Sequence, residues 1–124
     1  MRTLILLATL FFGVNLQAVM VRFNDIDAKP TVIKLDQSRA FTPSEIAKYT
    51  TCKLGACTYT MYISSKDKET VFITAPDWLY QIDGNGQMEN FPEDGLTILS
   101  LKSKKIQFKC PRLNCGSITV QALK

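Results

Sequence analysis

The chain of 124 residues contains no histidine. Histidine is the general base in Ser-His-Asp and Cys-His catalysis and a ligand in most catalytic zinc sites. The absence of histidine therefore excludes both kinds of catalysis and most catalytic zinc sites. Two carboxylates could still hydrolyse a glycoside, but no catalytic motif accompanies them. We expect neither an enzyme nor a bound cofactor or metal ion.

Long apolar runs are also missing, apart from one at the start. Arg2 precedes an uncharged apolar stretch at residues 3–14, and residues 16–18 end in alanine. A stretch of about 12 apolar residues is shorter than the roughly 20 that span a bilayer, and this pattern is typical of a secretory signal peptide. We predict a signal peptide over residues 1–18 and a single small β-rich domain over residues 19–124. The mature protein would be periplasmic or secreted, without stable membrane insertion.

Cysteines are few, and they come in two pairs that each enclose four residues: Cys52 and Cys57, then Cys110 and Cys115. In an exported chain such pairs indicate disulfides. A structural zinc site normally has two residues between paired ligands. The four cysteines allow three pairings. Short spacing favours the two local bridges, whereas a bridge such as Cys57–Cys110 would restrain the unfolded chain more.

One short helix is predicted near residues 43–49. Thr42 stands before Pro43, and Glu45 follows Thr42 by three residues. This arrangement is a capping box with proline at the first helical position.

The remaining chain has the pattern of an all-β protein. Alternating apolar segments recur at a spacing of roughly 8–12 residues, which predicts about seven to nine short strands in an antiparallel sandwich or small barrel. We expect residues 58–63 and 70–74 to form one hairpin. Residues 78–82 and 87–91 would form another, because the Asp-Gly-Asn-Gly sequence at 83–86 suits a tight hairpin turn.

Charge is segregated along the sequence. Residues 69–101 contain six acidic and no basic residues, and residues 102–124 contain six basic and no acidic ones. We favour the interpretation that oppositely charged neighbouring strands pair across a sheet. The alternative is a basic patch on one face that binds an anionic partner.

Two segments are candidates for recognition. The first is the loop between Cys110 and Cys115, since a loop closed by a disulfide loses little entropy on binding. The second is the acidic hairpin over residues 78–94. The predicted partner-binding residues in these two segments are Lys109, Arg112, Leu113, Trp78 and Tyr80.

These features favour an exported, non-enzymatic domain that binds another protein. It could serve as an inhibitor, as an immunity-type neutraliser of a toxin or lytic enzyme, or as a secretion-apparatus accessory. A glycan-binding or glycan-hydrolysing module that uses the acidic hairpin is the alternative. A structural subunit that adds an edge strand to an envelope assembly is a further one. We expect no nucleic-acid binding, since Phe108 is the single aromatic residue among the C-terminal lysines.

Overall fold

The structure, a computed structural model, describes residues 18–23, 29–48, 58–111 and 115–123. Within these ranges the strands are β1 Ala18–Phe23, β2 Thr31–Lys34, β3 Ser38–Phe41, β4 Thr58–Ser65, β5 Thr70–Thr74, β6 Leu79–Ile82, β7 Glu89–Asn90, β8 Leu96–Ile98, β9 Ser103–Lys109 and β10 Ile118–Leu123, and helix α1 is Pro43–Ala47. The predicted all-β class with one short helix is confirmed. The strand beyond the expected seven to nine is β3, whose Ser-Arg-Ala-Phe sequence has no β-branched residue to signal it.

The strands form two antiparallel sheets that share one core. The larger sheet has the order β2-β1-β4-β9-β6-β7, and the smaller has the order β3-β10-β5-β8. Side chains alternate between the faces of a strand, so each sheet buries one face against the other. The centre of the core is aromatic: the ring of Trp78 lies edge-on to the rings of Tyr59 and Phe108, with centroids 6.2 and 6.1 Å away.

The prediction that β4 and β5 form a hairpin is wrong. Strand β4 pairs with β1 and β9 in the larger sheet, whereas β5 pairs with β10 and β8 in the smaller one. Residues 66–69 carry the chain from one sheet to the other, and the Glu69 amide donates to Ser65 Oγ at 3.0 Å. Strands β4 and β5 each have one apolar face. Stacking across the core buries these two apolar faces against each other, and pairing side by side in one sheet would bury them equally well.

The second predicted hairpin is confirmed. Strands β6 and β7 are antiparallel neighbours, with Leu79 opposite Asn90. The Asn85 amide donates to the Ile82 carbonyl at 3.0 Å. The two residues between them, Asp83 and Gly84, have positive φ angles of 53° and 74°. Two central residues in this region define a type I′ turn, whose twist matches that of the flanking strands.

Helix α1 begins at the predicted N-cap residue, Thr42. The Glu45 amide donates to Thr42 Oγ1 at 3.1 Å, and Ile46 is fully buried. Arg39 of β3 forms an ion pair with Glu45 and lies over the ring of Phe41 at 4.6 Å. The hydrogen bond from Arg39 is the main cause that lowers the pKa of Glu45. The ion pair thus joins the helix to the smaller sheet.

One of the two expected disulfides lies in the described part of the chain. Cys110 and Cys115 are bonded, with Cα atoms 6.0 Å apart, and both are buried. The local pairing is therefore confirmed for this pair, while Cys52 and Cys57 fall outside the described residues.

The predicted signal peptide also lies outside the described residues, apart from Ala18, which is the first residue of β1. Among the residues with a described structure, no helix is long and apolar enough to cross a membrane.

Candidate functional site: a basic sheet face

Four neighbouring strands of the larger sheet, β2, β1, β4 and β9, contain no aspartate or glutamate. Their inward residues are buried, apart from the half-buried Thr31 and Lys104, so the alternate residues point outward. We call this outer surface the basic face, because its four charged side chains are all cations and all exposed. Its outward residues include Val32, Lys34, Met20, Arg22, Thr60, Tyr62, Ser64, Lys105, Gln107 and Lys109.

An aromatic ring lies between two cations at the centre of the basic face. Arg22 is directly opposite Tyr62, and Tyr62 is directly opposite Lys105. The guanidinium carbon of Arg22 is 5.0 Å from the ring centroid of Tyr62, which is within the range of a cation–π contact. Because adjacent strands are about 4.8 Å apart, the three side chains form one continuous row.

Apolar side chains border this row. Met20 is directly opposite Val32 on one side and Ser64 on the other. Val32 is 56% exposed, which is unusual for a large hydrophobic residue in this structure. The basic face therefore offers both cations and apolar contact area.

The basic face also contains a cavity. It is an open cleft of about 610 Å³ lined by Met20, Val21, Arg22, Lys29, Pro30, Tyr62 and Ser64. Two smaller clefts lie near the acidic hairpin. One of about 330 Å³ includes Asp83, Glu89 and Lys104, and one of about 250 Å³ includes Asp77 and Glu93.

The smaller sheet has a different outer surface. Its four strands contain a single charged residue, Arg39, which is paired with Glu45 of the helix. The outward side chains that the structure describes there are uncharged and include Thr74, Thr119 and Gln121. The two sheets therefore present one cationic and one neutral surface.

The acidic segment meets the basic segment at the end of β6. Lys104 Nζ is 3.3 Å from Asp83 Oδ2, and the Lys105 amide donates to Asp83 Oδ1 at 3.1 Å. This backbone hydrogen bond is the largest cause that lowers the pKa of Asp83, and the bond from Lys104 adds to it. Charge pairing across the sheet, predicted from the sequence, is confirmed for this pair.

Trp78 is not a surface residue, which corrects its prediction as a partner-binding side chain. It is 1% exposed, and its Nε1 donates to the Gly116 carbonyl at 2.7 Å. The residue thus links the core to the segment that follows the disulfide. The glycan alternative loses its main stacking platform as a result.

Two of the other predicted partner-binding residues, Tyr80 and Lys109, are described, and they lie on the neighbouring strands β6 and β9. Tyr80 is half-buried and packs against Phe91, with ring centroids 4.9 Å apart. Lys109 is exposed on the basic face. Arg112 and Leu113 are outside the described residues.

Sequence reasoning missed Arg22, Tyr62 and Lys105. Strict alternation could have placed Lys105 on the surface, because it precedes the buried pair Ile106 and Phe108 in the same strand. The order of β1, β4 and β9 in the sheet is what brings the three residues together, and that order joins segments far apart in the sequence.

No family model, curated protein or solved structure matches this chain. Within the described residues, no group of three or more cysteine, aspartate and glutamate side chains is placed to hold a metal ion. The function has therefore to be inferred from the geometry of the described surface. The basic face is the strongest candidate site, because it combines cations, apolar side chains and a cleft.

Proposed function

We propose that this chain is an exported, non-enzymatic domain that binds the acidic surface of another protein through the basic face. The observation that carries the proposal is the division of charge between the sheets. Four adjacent strands contain no acidic residue and three of them expose cations, whereas the outer surface of the other sheet is neutral where it is described. An inhibitor, an immunity-type neutraliser or a secretion-apparatus accessory of the periplasm or extracellular space would use such a surface.

Electrostatics would orient the encounter. A surface of one sign attracts an oppositely charged protein over about one Debye length, which is roughly 8 Å at physiological ionic strength. It raises the association rate and disfavours partners of the same sign. The neutral sheet does not compete for such a partner, so an acidic protein would dock on the basic face.

Apolar contact would then hold the complex. Charged pairs at an exposed interface are weakened by salt, while buried apolar area is not. Met20, Val32 and Tyr62 supply this area next to the cations. The side chains lie on paired strands of one sheet, so little backbone entropy is lost when a partner binds.

The experiment compares two double charge reversals in the full chain. Arg22→Glu with Lys105→Glu alters the centre of the basic face. Lys48→Glu with Lys66→Glu changes the net charge equally at exposed positions outside that face. Each protein is immobilised and used to capture partners from the envelope and medium of cells that express the chain. Association rates of the captured protein are then measured at several salt concentrations.

We expect the wild type and the control to retain the same acidic protein. The association rate of that protein should fall as the salt concentration rises. The basic-face variant should bind it about tenfold more weakly or worse. Equal binding by the two double variants, or no protein retained by the wild type at low salt, would contradict the proposal.

A further inference from the structure

The cleft on the basic face combines three features of a binding site. Its volume of about 610 Å³ lies within the range of about 300–1,000 Å³ that is usual for small-ligand sites. It opens on the outer surface of the sheet. It is lined by both apolar and cationic side chains.

The apolar part of the cleft is formed by Met20, Pro30 and the ring of Tyr62. A thioether side chain adapts to differently shaped apolar groups. The proline and the aromatic ring are stiff by comparison, so two of the three apolar groups lose little freedom when a ligand binds. This part of the cleft suits an aliphatic or aromatic side chain.

The polar part carries positive charge. Arg22 and Lys29 line the cleft, Lys105 is directly opposite Tyr62, and the described lining residues include no acid. The guanidinium of Arg22 already lies 5.0 Å from the Tyr62 ring centroid. A guanidinium held over a ring is preorganised to donate two parallel hydrogen bonds to one carboxylate.

We propose that this cleft is the anchor site for a short acidic and apolar segment of the partner. One apolar side chain of that segment packs against Met20, Pro30 and Tyr62. The carboxylate of a neighbouring aspartate or glutamate pairs with Arg22 and Lys29. This inference rests on the proposed function, because it assigns a specific contact to the same face.

The mixed lining of the cleft favours a peptide segment over a simple anion. A free phosphate would satisfy the cations but leave the apolar walls in contact with water. A carboxylate joined to an apolar side chain satisfies both parts. Lys109 lies on the same face but outside the lining of the cleft.

The test is a titration of the isotope-labelled full chain followed by nuclear magnetic resonance. The probe is the N-acetylated, C-amidated tripeptide Asp-Leu-Asp. The controls are Asn-Leu-Asn, which has the same shape without charge, and inorganic phosphate, which has the charge without the apolar group. We expect the acidic tripeptide to shift the amide signals of Met20, Arg22 and Ser64, with a dissociation constant on the order of 1 mM.

Two variants on the basic face distinguish binding in the cleft from the general electrostatic attraction of that face. Arg22→Gln and Lys109→Gln remove the same charge, but only the first alters the cleft. Arg22→Gln should weaken binding of the acidic tripeptide about tenfold, as expected for one charge-assisted contact, and several times more than Lys109→Gln does. Arg22→Lys keeps the charge but loses the paired donors, and it should fall between the wild type and Arg22→Gln.

Three results would overturn the anchor site. Equal losses in the two glutamine variants would show that only the diffuse charge acts, and the proposed function would stand without the anchor. Phosphate that shifts the same amides with equal affinity would make the cleft a general anion site. No shift at the cleft with the acidic tripeptide would also reject it, while the capture experiment would still test the proposed function separately.

Discussion

A buried hydroxyl leads to the sharpest stability prediction. Tyr59 is fully buried in the core, and its hydroxyl has no hydrogen-bond partner among the residues that the structure describes. A buried polar group without a partner costs about 1–3 kcal/mol of folding free energy. Tyr59→Phe removes that group and keeps the ring. The variant should therefore be more stable than the wild type.

The size of the gain follows from two opposing effects. Removal of the unpaired hydroxyl contributes about 1–3 kcal/mol. The hydroxyl also leaves a void, which is smaller than a methyl group. A methyl-sized void costs about 1 kcal/mol of stability, so this cost is smaller than that. The edge-on contact of Tyr59 with Trp78 is unchanged. We expect a net gain of about 1 kcal/mol, which raises the midpoint temperature of a domain this size by roughly 4–8 °C.

The same residue makes stability depend on alkaline pH. Burial raises the pKa of Tyr59 above its ordinary value of 10.0. The unfolded chain then ionises at a lower pH than the folded one. The free energy of unfolding is therefore unaffected by this ionisation below pH 10.0, and it falls as the pH rises from there through the folded pKa. Tyr59→Phe should lose less stability above this pH than the wild type does.

Chemical denaturation at pH 7 and across the alkaline range measures both effects. Tyr80→Phe is the matched control, since Tyr80 is half-buried at the hairpin and its change should be small. A Tyr59→Phe variant that is destabilised by about 1 kcal/mol or more would refute the reasoning, because it would show that the hydroxyl is hydrogen-bonded.

The remaining predictions concern a glycine and an ion pair. Gly95 has a φ of 89°, and an added Cβ would lie 2.3 Å from the ring of Phe72, so Gly95→Ala should cost roughly 3 kcal/mol. Gly86→Ala is the control in denaturant unfolding: its φ is 78° but its surroundings are open, and a loss of only about 1 kcal/mol is expected, so equal losses would contradict the clash. The lowered pKa of Asp83 gives stability above its ordinary value of 3.8 that is lost as the pH falls through the folded pKa. Asp83→Asn should therefore be less stable than the wild type at neutral pH, with the difference vanishing in acid; a constant difference from pH 7 to strong acid would argue against the pair with Lys104.

Local features of the fold could be predicted because they depend on neighbours in the sequence. The capping box at Thr42 needs only residues three positions apart, and the turn at Asp83 and Gly84 needs only residues that accept positive φ. The strand at Val19 and Val21 is visible as an alternation. In each case the physical cause lies within one turn or one strand.

Features that depend on tertiary packing could not be predicted. The pattern of β4 and β5 is equally compatible with lateral pairing and with stacking across the core, and the choice depends on β9 and β10, which lie much later in the chain. The buried Trp78 donates its indole hydrogen bond to Gly116, which is 38 residues away in the sequence. The candidate site was missed for the same reason, since Arg22, Tyr62 and Lys105 meet only when three distant segments pair.

The place of β10 in the smaller sheet constrains the order of assembly. It lies between β3 and β5, so neither of these strands has its central neighbour until residues 118–123 have been synthesised. The core residues that β10 supplies, Ile118, Val120 and Ala122, are missing until that moment. The smaller sheet therefore cannot be completed until the last strand of the chain joins it, so this half of the fold closes late.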